Sequence, residues 1–378
     1  MTEIQPCLRW ERNTALNNKS TIALILTIVL VAVEVIFGAH FYAGKITASM
    51  EEYLADDDQE DLNKTVLLQQ KLEKDGKTYY LRNGVRTYLI IGTDHSDQSP
   101  INTKGKEEGY ICKMADMIFV LIVDDDAKTY TILQIDRNTI TDVQQLYSSG
   151  EIAAILQMQI NTSYFYGHDE VSGCKNTVRA VSKLLKNTPI DHYASVGMSS
   201  IGEINHIAGG VTVTLEDDFT RYDPAMKAGA TLHLTDEQAG YFTTRRMDIG
   251  DGSNAGRLRR QRTYLNGLIA AMKKNVEKDS NYINTAYDKA KSLITTDMTA
   301  GDIGSMGTVL LDYKDNGIIT LDGETSEGVT PGDDEAHEMF TVDEDALLNT
   351  TIDLFYEKRT KQVYQSTHRR ETEAVTES

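Results

Sequence analysis

The chain has 378 residues, of which 40% are hydrophobic and 25% are charged, as in an ordinary globular protein. Its 57 acidic residues outnumber 38 basic ones, which gives a formal net charge of −19 at pH 7. Because affinity for nucleic acid comes largely from cations that neutralise phosphates, this balance excludes a general nucleic-acid-binding role. Any local cluster of arginines therefore stands out against an acidic background.

A long apolar segment near the amino terminus predicts one membrane-spanning helix. Residues 21–43 contain a single charged residue, Glu34, and at ~1.5 Å per residue such a helix crosses a bilayer core of about 30 Å. The run is long for a cleaved signal peptide, and no A-x-A cleavage pattern follows it, so an uncleaved anchor is favoured. Basic residues precede it and predict a cytoplasmic tail over residues 1–20, with the main domain outside the cell membrane.

The predicted elements of the outer part begin after a polar, acidic segment. Residues 44–78 predict an extracellular stalk that is partly helical. Residues 87–92 and 117–123 each predict a buried strand, and the second is apolar at nearly every position. Residues 129–135 predict a third strand that pairs with the second as a hairpin. Residues 210–215 predict a further strand.

Helical patterns interleave with these strands. Residues 177–186 and 257–274 each place apolar residues on one face. Strands that alternate with helices indicate a layered α/β domain, although the chain order does not decide between a parallel and a mixed sheet. Residues 306–360 predict a carboxy-terminal extension of short strands with an acidic loop (321–335) and a helix (343–358).

The remaining tail and the cysteines add little. Residues 361–378 have few apolar side chains to bury and predict a disordered tail. Cys112 and Cys174 follow the apolar segment, and no C-x-x-C spacing indicates zinc. Outside the cytosol the two thiols can form a disulfide, or both can stay reduced and buried, and the sequence leaves the two alternatives open.

Arginines concentrate in one short stretch of this acidic protein, namely Arg245, Arg246, Arg257, Arg259, Arg260 and Arg262. At ~100° per residue, Arg257, Arg260 and Gln261 share one side of the predicted helix. A guanidinium binds two phosphate oxygens at once, so the cluster indicates a phosphate or pyrophosphate site. The loop at residues 250–253 adds backbone N–H groups that can meet an anion. The alternative is a basic helix that balances acidic neighbours.

Two carboxylates stand at predicted strand ends. Asp94 follows the strand of residues 87–92, and Asp116 precedes the strand of residues 117–123. If they meet at one edge of the sheet, they can hold Mg²⁺, which favours one or two carboxylates together with substrate phosphates. Arg137, just past the third strand, adds a cation at a strand end, where the sites of open sheets gather. The alternative is that each acid only closes a loop.

Patterns for other chemistries do not occur. The sequence lacks G-x-S-x-G, H-E-x-x-H and the phosphate loop G-x-x-x-x-G-K-[ST]. If the protein is an enzyme, its chemistry is therefore phosphoryl handling by arginines and a metal ion rather than covalent catalysis by serine.

Seven segments resemble the LytR-CpsA-Psr family in order and spacing, in a variant typical of anaerobic Firmicutes. They cover roughly residues 85–275 and are YLIIGTDHS (88–96), MADMIFVLIVD (114–124), ILQIDRNTI (132–140), QINTSYFYG (159–167), PIDHYASVGMSSIGEINHIAGGVTV (189–213), LTDEQAGYFTTRR (234–246) and NAGRLRRQRTYLNGL (254–268). Each motif is modest, but all of them in order behind an amino-terminal anchor are specific.

The resemblance implies a fold and an activity. The expected fold is an α/β, three-layer α-β-α sandwich around a mixed central sheet over residues 79–305. The expected reaction transfers a glycopolymer from a polyprenyl-pyrophosphate carrier to peptidoglycan. A muramic-acid hydroxyl attacks the sugar-proximal phosphate, and polyprenyl phosphate leaves. Family members use Mg²⁺, or Mn²⁺, and arginines to hold the pyrophosphate.

The family motifs place functional roles on particular residues. The metal carboxylates fall on Asp94 and Asp116, which also count among the catalytic residues. The other catalytic positions are Arg137, Arg246, Arg257, Arg260 and Gln261. The substrate-binding positions are Gln159, Asn161 and Arg245.

Several positions depart from the family pattern. Met114, Gln159 and Thr244 replace expected cations, and Asn138 and Asn254 replace expected acids. Each lost charge-assisted bond to phosphate is worth about 1.5–3 kcal/mol. Two alternatives to a transferase therefore stay open: a non-catalytic or regulatory protein that binds wall polymers, and a polyprenyl-pyrophosphate hydrolase.

Overall fold

The computed structural model describes residues 71–94, 113–147, 149–167, 169–279, 282–299, 312–331 and 335–358. The anchor predicted over residues 21–43 and Cys112 lie outside these ranges. Within them, no helix combines the length and apolar character needed to cross a membrane. Cys174 is a buried free thiol.

Strands and helices alternate along the chain. Within the described residues the strands are β1 (Lys71–Lys74), β2 (Lys77–Leu81), β3 (Val85–Thr93), β4 (Ala115–Asp124), β5 (Thr129–Ile135), β6 (Ile140–Leu146), β7 (Ile152–Gln159), β8 (His192–Gly197), β9 (Thr212–Thr214), β10 (Thr231–His233), β11 (Ile294–Thr296), β12 (Lys314–Thr320), β13 (Gly323–Gly328), β14 (His337–Val342) and β15 (Tyr356–Glu357). The α-helices are α1 (Thr162–Phe165), α2 (Glu170–Leu184), α3 (Ile201–Ala208), α4 (Asp236–Thr244), α5 (Asn254–Lys278), α6 (Tyr282–Ala290) and α7 (Glu344–Phe355).

A six-stranded sheet with the order β11-β8-β3-β4-β5-β12 forms the centre of the fold. Strand β4 pairs antiparallel with both β3 and β5, which confirms the predicted hairpin. Strand β8 runs parallel to β3, and β12 runs parallel to β5. The sheet is therefore mixed, as the resemblance implied.

Helices cover both faces of this sheet. Because side chains alternate along a strand, Tyr88 and Ile90 of β3 face one core, and Leu89 and Ile91 face the other. Helices α3, α4, α5 and α6 pack on the first face, and α2 and α7 pack on the second. A strand with helices above and below it has no solvated side, which explains the nearly continuous apolar sequence of β4.

Capping residues extend two helices beyond their predicted starts. The Asp169 carboxylate accepts from the Ser172 N–H, so α2 begins at Glu170 rather than at residue 177. The Ser253 hydroxyl accepts from the Gly256 N–H over 3.0 Å, so α5 begins before Arg257. The apolar periodicity located each helix, whereas the caps decide where it begins.

Two predictions about irregular segments are wrong. Residues 71–78 were assigned to the stalk but form β1 and the start of β2, which also pairs with β15. Residues 323–328 were assigned to an acidic loop but form β13, antiparallel to β14. Strand β13 is polar and largely exposed, so no apolar alternation marks it as a strand.

Candidate functional site

The two predicted metal carboxylates lie at one end of the central sheet. Asp94 follows β3, Asp116 is the second residue of β4, and the register pairs Thr93 with Ala115. Asp94 Oδ1 accepts a hydrogen bond of 2.7 Å from the Met114 N–H. The antiparallel pairing therefore brings the end of one strand to the beginning of the next, as expected from the sequence.

Asp116 is the centre of an ion-pair cluster. Its Oδ1 accepts from Arg137 Nη1, and its Oδ2 accepts from Arg257 Nη1 over 3.1 Å. Arg137 lies just past β5, and Arg257 lies in the first turn of α5. Burial by itself would raise the pKa of Asp116, but the neighbouring arginines outweigh it and hold that pKa below its ordinary range. Asp116 is therefore ionised at neutral pH.

The arginines of this cluster keep donors free for a ligand. Arg257 is only 5% exposed, and its Nη2 donates to Asn254 Oδ1 over 2.7 Å. Within the described residues, the buried Nε atoms of Arg137 and Arg257 have no hydrogen-bond partner. Burial lowers the pKa of Arg257 to about 10, which leaves it charged at neutral pH. Buried polar atoms are rarely left unpaired, so these donors fit a phosphate oxygen.

Arg246 belongs to the same electrostatic cluster. It is half-buried, and its charge lowers the pKa of both Asp116 and Arg257. It therefore lies near the two groups that define the site, where the sequence analysis placed it.

Asp136 also joins the cluster, although it was not among the predicted site residues. Its Oδ1 accepts from Asn254 Nδ2 over 2.7 Å and from the Asn138 N–H over 2.8 Å. Because Asn254 accepts from Arg257, a carboxylate, an amide and a guanidinium form a continuous chain. The signal was in the sequence, because Asp136 directly follows a predicted strand, as Asp94 does.

Arg245 has different surroundings from its neighbour. It is exposed, and its guanidinium carbon lies over the rings of Tyr222 and Tyr241, 5.0 and 5.7 Å from the ring centroids. The guanidinium therefore contacts an aromatic pair rather than Asp116. The expectation that Arg245 is a substrate-binding residue receives no support from this geometry.

Arg260 is enclosed by protein partners. It is 3% exposed, and its Nη1 donates to Asp217 Oδ2 over 2.8 Å. Its Nε donates to the Phe242 carbonyl over 3.2 Å, and its Nη2 donates to the Arg245 carbonyl over 2.5 Å. Arg260 was expected among the phosphate ligands, whereas its contacts make it a positioning residue that holds the backbone before Arg246. Helical spacing gives the side of a residue but not what covers that side.

An apolar cavity begins where the arginine cluster ends. Its lining includes Met117, Phe119, Ile204, Gln261, Leu265 and Leu268. Met117 follows Asp116 in β4, and Gln261 lies one helical turn after Arg257 in α5. Gln261 Nε2 donates to the Thr243 carbonyl at 3.5 Å, and within the described residues its buried Oε1 has no partner. Gln261 therefore stands at the boundary between the charged cluster and the cavity.

Asn161 connects the strand ends that carry the site. Its N–H donates to the Arg137 carbonyl, and its carbonyl accepts from the Ala115 N–H, each over 3.1 Å. Its side-chain amide reaches Met114 Sδ at 3.6 Å, and its buried Oδ1 has no partner among the described residues. Asn161 thus lies beside the cluster, with one acceptor unused.

Gln159 contacts the carboxy-terminal extension instead of the cluster. Its Nε2 donates to the Glu338 carbonyl over 2.6 Å. Glu338 Oε1 also accepts from Asn138 Nδ2 over 3.1 Å, and the Phe340 N–H donates to the Asn138 carbonyl over 2.9 Å. Strand β14 therefore covers the edge of the site at Gln159, which the sequence had suggested as a substrate-binding position. A contact across 179 positions leaves no local pattern.

The loop before α5 uses two of the N–H groups that were expected to meet an anion. The Gly252 N–H donates to the Ile249 carbonyl over 3.0 Å, and the Ser253 N–H donates to Asp251 Oδ1 over 2.9 Å. These N–H groups are used within the loop, and a carboxylate already lies at the helix start. Of the N–H groups expected to meet an anion at residues 250–253, those of Gly252 and Ser253 are therefore not available to it.

The carboxylates fit only one kind of metal site. In the ranges that the structure describes, no three His, Cys, Asp or Glu side chains group as a metal cage. Asp94 and Asp116 nevertheless supply two hard oxygen donors at one strand end, and Asp116 is ionised. Such a pair fits Mg²⁺ or Mn²⁺ that takes its remaining ligands from phosphate and water.

Comparison with known proteins relates this geometry to a family. The model of the LytR_cpsA_psr family matches residues 41–355. The polyisoprenyl-teichoic acid–peptidoglycan teichoic acid transferase TagU of Bacillus cereus is 29% identical over 181 residues, which are 48% of this chain and 50% of the relative. The chain thus matches about half the length of this curated relative.

Solved structures share the fold. The crystal structure of B. subtilis TagV has a TM-score of 0.52 and 21% identity, over 72% of this chain and 97% of TagV. A structure of TagT bound to LIIa-WTA has a TM-score of 0.52 and 17% identity, over 72% of this chain and 90% of TagT. Because the family model extends over most of the chain, from residue 41 to residue 355, this protein belongs to the LytR-CpsA-Psr family.

Proposed function

We propose that this protein transfers a glycopolymer from a polyprenyl-pyrophosphate carrier to peptidoglycan through a phosphodiester bond. The observation that carries the proposal is the Asp116 cluster at the start of an apolar cavity, where two buried arginine donors lack partners among the residues that the structure describes. A lipid-linked pyrophosphate matches this arrangement, because its charged head complements the arginines and its apolar tail complements the cavity. The names of the TagU relatives, which are teichoic acid transferases, support this reading.

The arginines would bind the pyrophosphate. Arg137 and Arg257 each donate to Asp116, and the buried Nε of each has no partner in the described part of the chain. Phosphate oxygens would take up these donors, and Arg246 would add a third positive charge. Charge-assisted hydrogen bonds to phosphate are strong in a site with little water.

The apolar cavity would receive the first isoprene units of the carrier. Its lining comes from the sheet, from helices α3, α4 and α5 and from Met198, and it is almost wholly apolar apart from Thr243, Gln261 and the Tyr264 hydroxyl. Burial of hydrocarbon stabilises the complex by about 25 cal/mol per Å². The tail would thereby fix the orientation of the pyrophosphate against the arginines.

Asp94 and Asp116 would hold Mg²⁺ or Mn²⁺ together with the phosphates. A bound divalent cation neutralises charge on the phosphoryl oxygens and so favours attack at phosphorus. The transfer itself exchanges one P–O bond for another. The acceptor hydroxyl forms a new P–O bond to the sugar-proximal phosphorus, the bond to the bridging oxygen breaks, and polyprenyl phosphate leaves with the electron pair.

A base must take the proton of the acceptor hydroxyl. The pKa of Asp116 is held low by its arginines, which makes Asp116 a poor base. We therefore assign the proton to Asp94, which lies at the same strand end and would take it on the carboxylate oxygen that does not hold the metal ion. The arginines stabilise the charge that develops on the leaving phosphate, typically the largest catalytic contribution in such sites.

The place of the reaction follows from the amino-terminal sequence. We propose that residues 21–43 anchor the chain in the cell membrane and that the domain faces outward, where carrier lipid and peptidoglycan meet. A reporter fused after residue 378 should then be active outside the cell. Activity of the reporter only in the cytoplasm would contradict this topology.

The decisive experiment measures turnover of a short-chain polyprenyl-pyrophosphate sugar by the full chain in detergent, with Mg²⁺ and with EDTA. The test variant is Arg257→Ala, and the matched control is Arg259→Ala, which alters an arginine of the same helix with a 46% exposed side chain. Release of polyprenyl phosphate that needs the metal and Arg257, but not Arg259, supports the phosphoryl site. Addition of a peptidoglycan acceptor then separates transfer from hydrolysis.

Binding without turnover is a second candidate function. It is favoured by the replaced cations, because Met114 and Thr244 carry no charge and Gln159 binds Glu338. In this case the wild-type chain would bind the carrier through Arg257 without releasing polyprenyl phosphate, whether or not an acceptor is present.

A further inference from the structure

A second, polar cleft lies on the face of the sheet that carries α2 and α7. It has a volume of about 280 Å³, and its lining includes Asp142, Gln157, Lys183, Lys186, Asn187 and Glu344. The unpredicted hairpin of β6 and β7, the end of α2 and the start of α7 form its walls. The phosphoryl site described above uses none of these residues.

Charges of both signs surround this cleft. Lys183 Nζ lies 3.7 Å from Asp142 Oδ2. Lys186 forms an ion pair with Glu344, whose side chain is 72% exposed. Each ammonium group has three donors, so one ion pair leaves donors available to a ligand. The cleft therefore suits a ligand that carries both carboxylate and ammonium groups, and it does not suit an apolar one.

The backbone beside the cleft is held in a sparsely populated conformation. Lys186 and Asn187 are consecutive non-glycine residues in the left-handed region, with φ of 57° and 63°. Side chains other than glycine rarely adopt this region, and such residues cluster at functional sites. The Asn187 N–H donates to the Ser182 carbonyl over 2.8 Å, which holds the turn in place. Both residues with this backbone conformation line the cleft.

The cleft is close to the phosphoryl site. Arg137 and Asp142 are separated by five positions, and β6 runs from one towards the other. At ~3.4 Å per residue their Cα atoms are at most about 17 Å apart. Strand β14 borders both places, because Glu338 contacts Asn138 at the site and Val342 lines the cleft.

We propose that this cleft binds the stem peptide of the peptidoglycan acceptor. The proposal rests on the proposed transferase function. A stem peptide carries carboxylates and, at its diamino acid, an ammonium group, which complement the lysines and acids of the cleft. A peptide of up to five residues spans about 17 Å when extended, so it can reach the cleft while its muramic acid lies at the phosphoryl site.

The test compares two soluble acceptors by titration calorimetry with the full chain in detergent. One is a disaccharide that carries a pentapeptide with a diamino acid, and the other is the same disaccharide without the peptide. The test variant is Lys183→Gln with Lys186→Gln. The matched control is Lys175→Gln with Arg179→Gln, which removes two exposed charges from the same helix.

We expect the wild type and the control variant to bind the peptide-bearing acceptor at least about tenfold more tightly than the disaccharide without the peptide. The test variant should bind the two acceptors with similar affinity. Acetylation of the peptide's side-chain amine should also weaken binding to the wild type, a result that needs no altered protein. Equal affinity for both acceptors, no binding of either, or a preference that survives in the test variant would overturn the proposal.

The same experiment is independent of catalysis. If donor turnover fails but the peptide preference depends on Lys183 and Lys186, the transferase proposal fails and the cleft stands as a peptidoglycan-binding site. If turnover succeeds without a peptide preference, the cleft proposal fails and the transferase proposal stands.

Discussion

Arg257 Nη1 donates to Asp116 Oδ2 over 3.1 Å and so joins the first turn of α5 to the beginning of a strand 141 positions earlier. The pair is nearly shielded from water, since the two side chains are 6% and 16% exposed. Loss of Asp116 would leave the buried Arg257 charge without this counterpart, and loss of Arg257 would leave Asp116 with Arg137 alone. The structure and the proposed chemistry therefore depend on the same contact.

Replacement of Arg257 tests both roles at once. We expect Arg257→Ala to destabilise the fold by roughly 3 kcal/mol, the lower end of the range for breaking a buried pair, because Asp116 keeps Arg137. Turnover of the lipid-linked donor should fall at least about 100-fold, as for a lost stabiliser of transition-state charge. Urea unfolding and the turnover assay measure the two effects. The control Arg259→Ala should stay within about 0.5 kcal/mol of the wild type.

Acid should weaken the fold through Asp116. Its folded pKa lies below the ordinary value of 3.8, so its ion pairs contribute fully above that value and are lost as pH falls through the folded pKa. We expect the free energy of unfolding of Asp116→Asn to depend less steeply on pH below about pH 4 than that of the wild type. Urea titrations from pH 3 to 7 would show this, with Asp126→Asn as the charge control. Parallel curves for Asp116→Asn and the wild type would contradict the assignment.

Replacement of Arg260 should lower the stability of the fold rather than remove a direct contact to the substrate. Arg260→Ala removes the donors that hold Asp217 and the carbonyls of Phe242 and Arg245, and we expect a loss of roughly 3–5 kcal/mol in unfolding free energy. Arg221→Ala, at an arginine with a 74% exposed side chain, serves as the control. The conservative Arg260→Lys should recover part of the stability. A direct phosphate ligand would instead show normal stability and weakened donor binding.

A cation restored at residue 114 should strengthen donor binding. Met114 lies beside Asp94 and contacts Asn161, at the position where the family resemblance leads us to expect arginine. One charge-assisted hydrogen bond of about 1.5–3 kcal/mol corresponds to roughly 10–100-fold in affinity. We expect Met114→Arg to lower the KM for the lipid-linked donor accordingly, and Met114→Leu to leave it unchanged. Equal KM values for the two variants would place residue 114 outside the site.

The apolar cavity should discriminate between donors by tail length. Leu268→Trp fills part of the cavity, and overpacking of a core costs about 1–3 kcal/mol. We expect a larger loss of turnover for a long polyprenyl donor than for a short one. Leu133→Trp places the same change in the core on the opposite face of the sheet and should reduce both donors equally. The ratio of kcat/KM between the two donors removes the shared effect on stability.

Sequence patterns located the centre of the fold because its residues are periodic and buried. Strands β3, β4 and β5 are apolar along most of their length, and α5 carries a clear apolar stripe. Strand-end position alone indicated that Asp94 and Asp116 would lie at one end of the sheet, as the pairing of Thr93 with Ala115 places them. Strand β13 was missed because its polar, exposed residues leave no alternation, and it forms only by pairing with β14.

The spacing of residues along a helix could not predict the contacts of individual arginines. Arg257 and Arg260 share a side of α5, yet one pairs with Asp116 and the other with Asp217. The difference depends on the segments packed over each position, and these come from distant parts of the chain. Gln159 was misplaced for the same reason, because its partner lies in the carboxy-terminal extension.

The short β1-β2-β15 sheet joins the two ends of the described domain. Leu81 pairs with Tyr356, and the Arg82 N–H donates to the Phe355 carbonyl over 2.9 Å. Strands β1 and β15 flank β2, and neighbouring strands lie about 5 Å apart, so about 10 Å separates the two ends and a short linker can connect them without strain. A circular permutant opened at an exposed turn elsewhere should therefore fold, whereas a fragment cut before Tyr356 would leave the edge of β2 open to pairing with other chains.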